Sequence, residues 1–188
     1  MSQPNENKKS TALIIKVYPV ALILISLALN LTVFNVEGNA IALPSQDVLA
    51  ALAVASLMLV LNHTWLMTST ELTRLKYDIR ATPEEWMTSG LSKGDVTDTG
   101  FAELERRHNA HRNATENTTL FVLLAFPFAL ISPSALAASV WLVGFAIGRL
   151  GHTYSFLSGM SGARGLFMSV SLLSLYGLAG HLALAVLL

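Results

Sequence analysis

Cysteine is absent from all 188 residues. That excludes disulfide frameworks, thiolate metal sites and a protein thiol nucleophile, so any thiol chemistry must arrive with a ligand. Charge is scarce as well. Asp, Glu, Lys and Arg make up 13 % of the chain, about half the share of an ordinary soluble domain. Neither sign is in excess, with twelve basic and twelve acidic residues, so the balance offers no nucleic-acid partner. Internal repeats, low-complexity stretches and a second domain are all missing, and the polar connection 76–100 is the only soluble part of any size.

What remains is hydrocarbon. Apolar residues form 53 % of the chain and the mean hydropathy is +0.54. Five apolar segments reach or approach the ~20 residues a membrane helix needs: 11–34, 47–72, 117–131, 134–157 and 165–188. The third is short by itself, and its helix is expected to begin upstream in polar sequence. The first follows the polar tail 1–10 and exceeds the length of a cleavable signal, so it reads as a retained helix. The expected fold class is all-α, a polytopic membrane helical bundle of five transmembrane helices. All twelve Lys and Arg, from Lys8 and Lys9 to Arg164, fall on one side of such a bundle. The positive-inside rule then places the N-terminus in the cytoplasm and the C-terminus outside; a bacterial inner membrane is the expected location.

Local signals are few. ATPEEW (81–86) reads as a helix start, with Thr82 as N-cap and Pro83 in the first position. Pro19 and Pro127 fall within membrane helices, where neighbours can satisfy the freed carbonyls. GFAIG (144–148) fits the small-xxx-small spacing that lets two helices approach closely.

Polar residues at membrane depth carry the functional argument. At about 100° per residue, Glu105, Asn109, Arg112 and Glu116 form one stripe on the third helix, with Asn113 beside it. On the fourth helix Arg149, His152, Thr153 and Phe156 share a face at the same depth. Arg74 ends the second helix there, and Arg164 opens the fifth. A mutual Arg112–Glu116 ion pair and arginines snorkelling to headgroups account for single members of this set. They do not account for the whole, because one glutamate cannot neutralise four arginines. An anionic ligand with carboxylates suits the guanidinium forks, and an ammonium group suits Glu116. Arg164 lies beside the positive N-terminal end of the fifth helix. Asn62 and His63, deep in the second helix, are explained most simply by an interhelical hydrogen bond. His181 is expected to stand alone near the outer end, and no His–acid spacing suggests a metal.

These residues resemble the MAPEG family, the membrane-associated proteins in eicosanoid and glutathione metabolism. Three ordered motifs carry the resemblance: Glu105–Arg106 followed by AHRNATE (110–116), Arg74 with Pro83 nine residues later, and Arg149 followed by His152–Thr153 and a loop to Arg164. It covers about 47–188 and implies a four-helix MAPEG-like domain there, with 11–46 as an extra transmembrane helix and outer loop. It further implies a homotrimer that binds glutathione between subunits as co-substrate, without a metal. Arg74, Arg112, Asn113, Glu116, Arg149 and His152 would hold the tripeptide, lined by Glu105, Asn109, Thr153 and Phe156. Arg164 would be the catalytic residue, stabilising the thiolate for attack on a lipophilic electrophile dissolved in membrane lipid. That is a glutathione transferase, or a peroxidase, with a detoxifying role. Phe156 stands where the family often has tyrosine, and this departure favours a non-catalytic lipid-binding or scaffold member. A small transporter or proton path is a third reading, disfavoured because His181 alone would continue a route to the outer face.

Overall fold

A computed structural model describes residues 4–38 and 41–188; residues 1–3 of the polar tail and residues 39–40 of the outer loop lie outside it, as do the side chains of residues 4–7 and of Lys9. The described chain is all-helical: α1 (Pro4–Thr32), α2 (Gln46–Lys76), the short α3 (Pro83–Ser89), α4 (Asp98–Leu130), α5 (Ala135–Ala138), α6 (Gly144–Leu157) and α7 (Ser161–Leu187). A π-helical turn at Ser139–Val143 joins α5 and α6 into one rod. Among the described residues, four stretches are long and apolar enough to cross a membrane: Ser10–Thr32, Gln46–Lys76, Ala135–Leu157 and Ser161–Leu187. The 33-residue α4 begins well upstream of its apolar half, as expected, and carries the charged sequence into the bundle.

The helix starts follow local chemistry. Hydroxyls of Ser45, Thr82, Thr97 and Ser134 each accept a first-turn backbone N–H, from Val48, Glu85, Gly100 and Ala137. Pro83 takes the first position of α3, and Gly90 ends it at φ +69°, a conformation that favours glycine. Between α3 and α4, the backbone N–H and hydroxyl of Ser92 hold the Asp95 carboxyl below its ordinary pKa.

Packing is uneven along the bundle. The larger core joins α2, α4, α6 and α7 through residues such as Val48, Phe121, Phe128, Trp141, Phe145 and Leu178. Phe121 and Phe145 stack with centroids 4.4 Å apart. A smaller core of Leu66, Ala110 and Ala114, with Phe156 and Leu157 against it, lies toward the charged ends of α2 and α4. Polar side chains therefore enter the interior where the apolar filling thins.

α6 and α7 approach each other closely. A Cβ added to Gly148 would stand 2.8 Å from the Ser171 backbone nitrogen, and one on Gly144 would stand 3.1 Å from the Ser174 hydroxyl. The small-xxx-small motif thus faces α7. Because backbone blocks the space at Gly148, Gly148→Val should lose about 1–3 kcal/mol by overpacking. Thermal unfolding in detergent checks this, and a loss below a few tenths would mean α7 shifts freely.

Helix α1 lies along α7 and is tied to it by buried polar groups. Asn30 donates through Nδ2 to the Gly177 carbonyl at 3.0 Å, and its Oδ1 accepts the Trp141 indole N–H at 3.0 Å. His181 Nδ1 lies 3.2 Å from the same Oδ1, which places the ring proton on that nitrogen. His181 is therefore not solitary. Its partner lies 151 residues upstream, in α1.

Candidate functional site

α6 supplies the centre of the site. Arg149 is 0 % exposed. Its Nη2 donates to Asn113 Oδ1 on α4 at 2.8 Å and lies 3.4 Å from His152 Nδ1; Nη1 points to the Met168 sulfur on α7 at 3.7 Å. Its Nε has no partner among the described residues. None of the ion pairs among the described residues includes Arg149. A guanidinium removed from water without a carboxylate is costly, because neutral dipoles replace only part of its hydration.

From Arg149 a line of contacts leads to α7. The His152 ring centroid is 5.6 Å from that of Phe156, and the Arg164 guanidinium carbon sits 4.9 Å over the Phe156 ring. Phe156 is thus more than a missing hydroxyl, since its face seats the exposed arginine as a cation–π platform. Arg164 lies in the first turn of α7, where Met160 provides no side-chain cap. The positive helix end remains open to an anion beside it. Thr153 is fully buried next to this line, and its hydroxyl has no partner.

The other expected members stand apart from this cluster. Arg74, in the last turn of α2, pairs with Glu71 at 3.0 Å and approaches His108 Nε2 at 3.5 Å. Arg112 donates to Asn109 Oδ1 at 3.2 Å, and no ion pair between Arg112 and Glu116 forms among the described residues. Glu105, Arg112 and Glu116 are exposed. The face of α4 buried in its own bundle is instead Ala110, Ala114, Asn117 and Phe121. One chain therefore assembles Asn113, Arg149, His152, Phe156 and Arg164, and turns the Glu105–Asn109–Arg112–Glu116 stripe outward. Sequence reading missed Met168 and His108 as contacts. Met168 could have been found, since it lies one turn past Arg164 on α7, whereas the reach of His108 to Arg74 depends on how α2 and α4 pack. Among the described residues, no group of three His, Asp or Glu side chains could hold a metal ion.

Long apolar helices around a buried arginine define an integral membrane protein with a polar site in its interior. The MAPEG family model matches residues 52–184, and the chain belongs to that family. It is 28 % identical to prostaglandin E synthase of Homo sapiens over 113 residues, 60 % of this chain and 72 % of that protein. The prostaglandin E synthases of Canis lupus familiaris and Rattus norvegicus are also 28 % identical, over 117 and 121 residues. These alignments cover 62 % and 64 % of this chain, and 74 % and 77 % of the relatives.

Proposed function

We propose that the protein is a glutathione-dependent transferase acting on lipophilic electrophiles, with peroxide reduction as the alternative use of the same thiolate. The observation that carries this reading is Arg149, a buried cation without a carboxylate, linked through His152 and Phe156 to a second arginine at an open helix end. Membership in a family of glutathione-dependent membrane enzymes supports it. The chemistry of the donor set fits the tripeptide: Arg149 and Arg74 suit its carboxylates, Asn113 and His152 orient them, and Glu116 suits its ammonium. Arg164 holds the sulfur as thiolate by lowering the thiol pKa, the proton leaving to solvent. The sulfur then forms a bond to the electrophilic carbon of a bilayer-dissolved acceptor, whose leaving group departs with the displaced electron pair.

In the same reading α4 makes a fifth crossing, so the N-terminus is cytoplasmic and the C-terminus outside, in a bacterial inner membrane. The outward stripe of Glu105, Asn109, Arg112 and Glu116 meets the buried cluster of a neighbouring copy in a homotrimer. A detoxifying role follows from acceptors of this kind.

The test is thiolate absorbance in the ultraviolet on adding glutathione to the purified protein at neutral pH. Arg164→Ala should raise the thiol pKa by about 1–3 units, as loss of an adjacent opposite charge does, and so reduce the thiolate signal at neutral pH. Equal signals from parent and variant would remove Arg164 from the chemistry. No signal and no calorimetric binding in the parent would favour a non-catalytic lipid-binding or scaffold protein.

A further inference from the structure

Between α2 and α4 lies a second polar feature within apolar surroundings. A cavity of about 550 Å³ runs between the two helices, within the usual range for small-molecule sites. Its wall includes Asn62 and His63 from α2 and His111, Thr115 and Thr119 from α4. Asn62 is 2 % exposed, and its Oδ1 has no hydrogen-bond partner among the described residues. The interhelical bond expected for it is therefore not made through that oxygen. His63 and His111, with ring centroids 5.2 Å apart, bridge the helices instead.

The hydrogen-bond inventory narrows what would fit. Thr115 donates its hydroxyl proton to the His111 carbonyl at 3.0 Å, and Thr119 donates to the Thr115 carbonyl at 2.9 Å. Both hydroxyl oxygens are left as acceptors, like Asn62 Oδ1. The wall thus sets these acceptors within hydrocarbon beside the ring nitrogens of His63 and His111, and a buried acceptor without a donor is costly. Depth narrows the choice further. Asn62 stands near the middle of the 31-residue α2, roughly 20 Å from either end at 1.5 Å per residue. A phospholipid headgroup does not reach that depth, because polar heads lie outside the ~30 Å hydrocarbon core.

We propose that this cleft is a binding site for an uncharged lipophile carrying a hydroxyl within its hydrocarbon body, the hydroxyl donating to Asn62 Oδ1. Its lining shares no residue with the arginine cluster, and the proposal does not require the transferase reading. A second copy of the chain filling the cleft is the competing occupant.

The probe is a photoreactive long-chain secondary alcohol, hydroxylated at mid-chain, compared with its O-methyl ether in phosphatidylcholine nanodiscs containing the full-length protein. The alcohol should label peptides containing Asn62 and Thr115–Thr119 about tenfold more than the ether, the ratio expected for one buried hydrogen bond. Asn62→Leu should remove that preference. If Asn62→Leu fails to fold, the alcohol–ether comparison on the parent protein still decides. Equal labelling by both probes, or labelling spread evenly over the lipid faces of α1 and α7, overturns the proposal. So do chain-to-chain cross-links through the cleft without lipid labelling, which would assign it to a neighbouring copy.

Discussion

Arg149→Met should abolish glutathione binding while leaving the empty protein as stable as the parent, or more so. The guanidinium is fully buried, its Nε is unpaired, and its bonds run to a neutral amide, an imidazole and a thioether. Holding such a cation away from water costs several kcal/mol even after relaxation, and apolar replacements of buried charges are often neutral or stabilising by about 1–4 kcal/mol. Against this gain stands the loss at Asn113 Oδ1, roughly 1–3 kcal/mol for an acceptor left without its donor. The two nearly cancel, so the unfolding midpoint in detergent should hold or rise. Ligand binding has no such offset. Removing one partner of a buried charge pair costs about 2–5 kcal/mol, or at least about thirtyfold in affinity. Arg149→Lys, which keeps the charge without the fork, should recover only part of it. Calorimetry with glutathione and thermal unfolding without it check the two halves. A variant that unfolds readily but still binds would make Arg149 a packing residue and sink the site.

That separation between binding and stability shows why an arginine can be readable in a sequence before its partners are. The 100° spacing of Arg149, His152 and Phe156 put them on one face from sequence alone, because helix periodicity is local. The start of α3 was legible for the same reason, with Thr82, Pro83 and the acidic first turn all within a few residues. Membership in the family was legible too, carried by three motifs inside the matched region 52–184. What could not be read was the choice among competing partners. Arg112 and Glu116 have the spacing of an ion pair, yet Arg112 turns back to Asn109. The acid there follows the base, the weaker orientation on a helix. Glu103 precedes Arg107 at the same spacing, and that pair forms. Tertiary contacts were further out of reach. Nothing near His181 announces an asparagine 151 residues away, and the π-helical turn that carries Trp141 has no local sequence signature.

Asn30→Leu should be the most destabilising single change in α1. One amide satisfies the Trp141 indole, the His181 ring and the Gly177 carbonyl, and leucine leaves all three buried groups without that partner. Each such group costs about 1–3 kcal/mol in an apolar interior. Polar contacts between membrane helices often measure less, since the unfolded chain in a bilayer finds other partners, so about 2–4 kcal/mol is expected for the set. Trp141 cannot readily move aside to recover it. Its ring lies against Gly177 so closely that a Cβ there would stand 2.4 Å away, and Phe34 meets it edge-on at 5.2 Å. Tyr18→Phe removes only the hydroxyl bond to Ser169, 2.7 Å long and partly buried, and should cost under about 1 kcal/mol. The contrast between these variants in detergent unfolding distinguishes a helix built into the fold from a peripheral anchor. If Asn30→Leu shifts stability no more than Tyr18→Phe does, α1 is held by lipid rather than by α7. If it shifts several kcal/mol, α1 braces the helix whose first turn carries Arg164, and the thiolate signal should weaken along with stability.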